Sequence, residues 1–137
     1  MDRRLFYLLN KAQKKMFRHV DDICERTLDA SVTQLAALML IARQPGMQQK
    51  ALSEALDLNK SAVTGLVARM EKNGLLQRGG LPTDARAVTL SPTIEGLRKV
   101  AEMKPLISAL NDVLSEEFSD AELEVVARFL NFVIQRF

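Results

Sequence analysis

The feature that most constrains this chain is a change of period at residue 75. Upstream, residues 48–56 (QQKALSEAL) carry Leu52 and Leu56 at helical spacing, and a second stripe follows at Ala62, Val63, Leu66, Val67 and Met70. Asp57-Leu58-Asn59 breaks the pattern between them, and Asn73-Gly74 ends the second stretch with a C-cap signal. Two helices joined by so short a turn form a helix-turn-helix. Downstream the period becomes that of strands. Leu75-Leu76-Gln77-Arg78 and Arg86-Ala87-Val88-Thr89-Leu90 are strand candidates, and Gly79 to Ala85 between them is turn chemistry. A helix pair followed by a hairpin is a winged helix-turn-helix.

The flanks are helical. Residues 3–26 carry Leu5, Leu9, Ala12, Met16, Val20, Ile23 and Cys24 along one stripe. Ser31 and Gln34 have the spacing of a capping box before a second helix over 32–43. That helix is apolar nearly all round, as core helices are, and Pro45-Gly46 stops it. A long helix is expected from Thr93 to about Phe118, interrupted or bent near Pro105, and Ser119-Asp120 caps a last one. In that last helix Phe129, Phe132 and Val133 lie outside the stripe formed by Leu123, Val126, Ala127, Leu130, Ile134 and Phe137. One helix cannot bury both faces on a chain of 137 residues, so the surplus points to a subunit partner. The fold class is mainly α with a small β-hairpin wing.

Several function classes drop out. One Cys and one His leave no intrachain disulfide and no His/Cys metal cluster, so neither metal nor cofactor is expected. The chain has no phosphate-cradling glycine motif, no His-x-x-x-His and no nucleophile elbow. Adjacent carboxylates such as Asp21-Asp22 and Glu116-Glu117 do not face each other on a helix and read as solvated faces rather than as an acid–base pair. An enzyme is not expected. The opening MDRRLFYLLNKAQKK has too short and broken an apolar run for a signal peptide, and no stretch reaches the roughly 18 apolar residues of a membrane span, so the cytoplasm is the expected compartment. Net charge is only +2, but residues 59–86 carry five Lys/Arg against two Asp/Glu, which hints at a local anionic partner.

Residues 47–96 resemble the MarR family of transcription regulators. LSEALDLNKSAVTGLVARMEKNGLLQR is similar to the family's helix-turn-helix and PTDARAVTL to its wing, with the Asp-x-Arg at Asp84 and Arg86. Thr93 and Gly96 match the Thr-x-x-Gly that opens the next helix. Two departures stand out: Pro92 where the family usually has Leu, and Gly65 where the recognition helix often carries a basic residue. The resemblance extends through the flanking helices. It implies an obligate triangular homodimer in which an N-terminal helix (1–30) and C-terminal helices (92–137) interlock, while winged helix-turn-helix regions (31–91) reach double-stranded DNA at a pseudo-palindromic operator. The function implied is that of a repressor released by a small-molecule effector.

The candidate DNA-binding residues fall in two groups. Asn59, Lys60, Ser61 and Thr64 stand at the start of the recognition helix, the part that faces base edges in such folds. The bland alternative is a capped surface helix. Arg86 on the wing is suited to a narrow minor groove, and Asp84, two residues away, is expected to hold the guanidinium of Arg86 or Arg69. The bland alternative is a surface salt bridge worth under about 1 kcal/mol. Arg78 is a candidate phosphate contact. The resemblance also implies an effector pocket, for which Phe17, Val20, Leu38, Met39 and Arg43 are candidates, with plain core packing as the alternative. Cys24 reads as buried packing rather than a redox sensor, and His19 as a surface residue. The rival from another class is a winged-helix protein-interaction module without DNA binding. The bare wing tip, Gly65 and the low net charge favour it.

Overall fold

The computed structural model describes residues 1–137 and divides into two units, Met1–Met103 and Lys104–Phe137. No helix is long and apolar enough to cross a membrane.

In the first unit, α1 (Leu5–Leu28) ends on Asp29 in the left-handed conformation, and α2 (Val32–Arg43) follows after one turn of chain. Leu35, Leu38 and Ile41 of α2 are fully buried, as its nearly uniform apolarity predicts. Each such side chain removed from water is worth about 1.5–3 kcal/mol. The capping box at Ser31 is only half made. Ser31 Oγ accepts the Gln34 N–H at 3.1 Å, but the Gln34 side chain does not return to Ser31. Asp21 of α1 reaches across instead, its Oδ1 accepting the Val32 N–H at 2.8 Å. A further orphaned helix-start donor is thus satisfied from a neighbouring helix.

Pro45 and Gly46 lead into β1 (Met47–Gln48), where a helix was expected to begin at once. Two residues are too few to show strand periodicity, so only the pairing reveals β1: Met47 lies opposite Leu90 and Gln48 opposite Thr89. Next come α3 (Gln49–Ala55) and α4 (Lys60–Lys72), joined through Asp57 at φ 53°. Asn59 caps α4 by accepting the Ala62 N–H at 2.8 Å. Leu52, Val63, Leu66, Val67 and Met70 are buried and form the helix-turn-helix core, with Leu56 and Leu58 half-buried at its margin.

The wing is longer than its sequence signals. β2 (Leu76–Leu81) and β3 (Asp84–Pro92) leave only Pro82-Thr83 as the tip, so Gly79 and Gly80 are strand residues, not turn residues. Gly79 pairs with Thr89, and a Cβ there would stand 2.9 Å from the Thr89 hydroxyl oxygen. The glycine is needed for close strand passage rather than for a turn. The register slips between Gly79 and Leu81, and the antiparallel sheet has the order β1-β3-β2.

Helix α5 (Ile94–Ser115) runs through Pro105 without interruption and ends before the expected Phe118. Near its end the Ser115 hydroxyl turns back to the Asn111 and Asp112 carbonyls, a local bond that competes with helix continuation. At its start, Thr93 Oγ1 accepts the Gly96 N–H at 3.0 Å and donates to the Gly74 carbonyl at 2.6 Å, while the Thr93 N–H donates to the Leu75 carbonyl at 3.2 Å. Gly96 packs so closely on Leu75 that a Cβ would sit 2.2 Å from its carbonyl oxygen. The Thr-x-x-Gly pair is therefore a clamp between α5 and the chain leaving α4.

In the second unit, α6 (Asp120–Arg136) opens on a full capping box, Ser119 with Glu122. None of its residues is buried, and Val126, Leu130, Phe132 and Ile134 are exposed, Ile134 by 75%. In the first unit Leu5, Phe6, Met16 and Phe17 of α1 are exposed as well.

Candidate nucleic-acid interface

The α4 N-terminus, the α3 N-terminus and the wing border one open groove of about 590 Å³. Lys60 stands at its edge as the first residue of α4. The opening turn of α4 holds no acidic residue, so the positive end of the helix dipole is unopposed there. Ser61 is exposed beside it. Thr64 is partly committed: its hydroxyl donates to the Lys60 carbonyl at 2.8 Å and accepts from Gln49 Nε2 at 3.3 Å.

Arg86 and Asp84 line the wing side of the same groove. The expected ion pair between them is not made. Asp84 Oδ1 accepts the backbone N–H of Arg86 at 2.9 Å, and none of the five ion pairs in the molecule involves Asp84, Arg86 or Arg69. A short side chain bonding the amide two residues on is the local habit of aspartate, and it wins over reaching a flexible guanidinium in water. Asp84 shapes the strand start and leaves the Arg86 head exposed.

Arg69 lies over Gly65, its Nη1 3.2 Å from where a Cβ would stand. A cationic group thus covers the glycine position from one turn further along α4. Arg78 is held by Glu71, Nε to Oε1 at 3.1 Å, so this candidate phosphate contact is already partnered. Sequence reasoning missed Gln48, Gln49 and Lys50, which border the groove because β1 pairs with β3 and brings the α3 start beside the wing. The only available signal was the polar Gln-Gln-Lys run ahead of ALSEAL.

The five effector-pocket candidates occupy different settings. Leu38 is fully buried, Val20 and Met39 are half-buried, and Phe17 and Arg43 are exposed. Cys24 is 2% exposed, and burial first, then the nearby charges of Asp21 and Glu25, push its thiol up from the ordinary value. Less thiolate forms at any given pH. At pH 8 the native protein should react with iodoacetamide more slowly than the urea-unfolded chain, by about an order of magnitude or more. Its rate should also begin to climb at a higher pH. Equal rates would identify Cys24 as an accessible, reactive thiol.

Known proteins share this architecture. A family model described as MarR family matches residues 30–88. Transcriptional regulator HosA from Escherichia coli O111:H- is 31% identical over 107 residues, covering 75% of this chain and 79% of that protein. The fold is similar to that in the S. aureus MepR–DNA complex, with a TM-score of 0.90, 20% identity, and coverage of 99% of this chain and 100% of that one. It is also similar to the PcaV transcriptional regulator from Streptomyces coelicolor in complex with its natural ligand, with a TM-score of 0.82, 24% identity, and coverage of 98% and 96%.

Proposed function

Since this chain belongs to the MarR family of transcriptional regulators, we propose that it is a cytoplasmic, dimeric, sequence-specific DNA-binding protein, a repressor released by a small ligand. One observation carries the reading: Lys60 at the start of α4 and the unpaired Arg86 on the wing border the same groove. The helix offers polar groups to base edges, and the wing offers a cation to the backbone or minor groove. Asn59, Ser61, Thr64, Arg69 and Arg78 are further proposed DNA contacts, outside the lining of that groove. The α1 and α6 helices, each with exposed apolar side chains, are the proposed dimerisation elements, with residues 31–91 as the DNA-binding region. The structure of MepR with DNA and that of PcaV with its natural ligand support the two kinds of partner by analogy.

The test is binding to genomic fragments between 50 and 200 mM salt, at roughly the span over which phosphate contacts weaken steeply. A dimer by sedimentation and a footprint with two half-sites about 10 base pairs apart are expected. Salt-independent or absent binding would transfer the chain to the protein-interaction alternative, which the uncharged wing tip favours.

Asp84 supplies a sharper prediction. Asparagine keeps the oxygen that accepts the Arg86 N–H and removes the charge. One charge roughly 8 Å from a phosphate in water is worth about 0.5 kcal/mol. Asp84→Asn should therefore tighten DNA binding about twofold, and Asp84→Ala, which also loses the backbone bond, should bind less tightly than Asp84→Asn. Weaker binding by Asp84→Asn than by the parent would mean that the carboxylate positions Arg86 after all.

A further inference from the structure

Gln49, the first residue of α3, lines the groove and bonds across to the recognition helix, its Nε2 donating to Thr64 Oγ1 at 3.3 Å. The Thr64 hydroxyl has a single proton, and that proton goes to the Lys60 carbonyl at 2.8 Å. Thr64 can therefore only accept from Gln49, which fixes the direction of the amide: Nε2 faces Thr64 and Oε1 faces away from it. The side chain is half-buried, and no second partner within the molecule takes its Oε1 or its other N–H. The residue is also held from behind. Met47 pairs with Leu90 and Gln48 with Thr89, so the chain entering α3 is tied to the wing strand.

These commitments select among bases. An amide with a free acceptor beside a free donor matches a partner that offers a donor beside an acceptor. In the major groove only adenine presents that pair on one base, its N6 amino group beside N7. Guanine offers two acceptors, thymine an acceptor and a methyl group, and cytosine a donor. A phosphate offers acceptors alone and would leave Oε1 facing negative oxygens. Lys50 and Lys60, which line the same groove, suit phosphate better. An amide already held at one end also loses less rotamer freedom on binding than a free glutamine does.

We propose that Gln49 is a specificity-determining residue of the DNA interface, reading an adenine with Oε1 and its free N–H while Thr64 holds the amide in place. The assignment rests on the DNA-binding reading and deepens it: base recognition is shared between α4 and the first residue of α3. Thr64 acts here through Gln49, as a positioning residue. A carboxylate at position 49 can only accept, and the base it suits is cytosine, through the N4 amino group. Glutamate in place of Gln49 therefore changes the preferred base rather than merely removing a contact.

The test starts from the genomic fragment that the parent protein binds tightest, with every base pair of its footprint replaced in turn. For the parent, at least one A·T pair is expected at which replacement costs roughly 5- to 150-fold in affinity, the scale of a bidentate base contact. Gln49→Ala should flatten the discrimination at that pair and leave it intact elsewhere. Gln49→Glu should favour cytosine there. A role in the framework alone would instead lower affinity evenly over all sequences. A second arm needs no DNA. By NMR of the free protein, Thr64→Val should loosen the Gln49 side-chain amide and lower its order parameter, while Thr64→Ser, which keeps the hydroxyl, should not. The proposal is overturned by an even loss across sequences, by a Gln49→Ala or Gln49→Glu protein that still prefers adenine, or by an equally ordered Gln49 amide in Thr64→Val. With parent binding intact, each of those outcomes leaves the DNA-binding reading standing; a parent that binds no fragment removes both.

Discussion

Gly96→Ala should lower stability by roughly 3 kcal/mol, at the upper end of what overpacking costs. The added methyl would meet the Leu75 carbonyl oxygen at 2.2 Å and the Leu38 side chain at 3.1 Å. Leu38 has some freedom to turn, but the carbonyl does not. Leu75 is buried, and its carbonyl accepts the Thr93 N–H that begins the α5 clamp. Relief therefore requires α5 to lift, and the Thr93 bonds to Gly74 and Leu75 strain with it. Gly80→Ala is the control, since the nearest atom there is 3.9 Å away. Urea unfolding should show a much lower midpoint for Gly96→Ala at unchanged slope, with Gly80→Ala within about 0.5 kcal/mol of the parent. Equal midpoints for the two variants would mean that α5 is seated far more loosely than its contacts imply.

Arg86→Ala should weaken DNA binding by about 1–3 kcal/mol, roughly 5- to 150-fold, and reduce the salt slope by about one ion. The protein's own stability should be untouched, because the guanidinium is exposed and makes no ion pair within the molecule. Arg78→Ala gives the contrast. Its guanidinium already has Glu71, so less of its charge is free for phosphate, and its loss should cost less affinity. Ser61→Ala removes no charge, and should leave the salt slope alone while relaxing sequence preference. An Arg86→Ala protein that binds as the parent does would remove the wing from the interface.

Much of this fold was legible because its period is written in long elements. The α2 helix declares itself by a nearly unbroken apolar run between Ser31 and Pro45-Gly46, and the α4 stripe from Val63 to Met70 by its spacing. What escaped was decided by contacts between distant segments. β1 exists because Leu90 offers its edge to Met47, and no two-residue window announces that. Gly79 and Gly80 looked like a turn because glycine serves both turns and close strand passage, and only Thr89 on the partner strand distinguishes the two. Gln34 has the spacing of a capping-box partner, but its side chain makes no return bond, and the other side-chain contact at this helix start comes from Asp21, eleven residues upstream of Val32. At the candidate interface, residue types were readable but commitments were not. The sequence does not say that Asp84 prefers an amide to a guanidinium, or that Arg78 is held while Arg86 is free.

The short β1 strand has a consequence for how such a protein changes over generations. It joins the start of α3 to the wing through backbone bonds: Met47 and Gln48 pair with Leu90 and Thr89, and the Gly46 N–H donates to the Leu90 carbonyl at 2.8 Å. Bonds made by main chain are indifferent to most side-chain replacements. The exposed side chains at Lys60, Ser61 and Arg86 are therefore free to drift singly while the frame that spaces them stays fixed. If these residues read DNA as proposed, substitution at one or two surface positions would change the preferred site while leaving the fold in place.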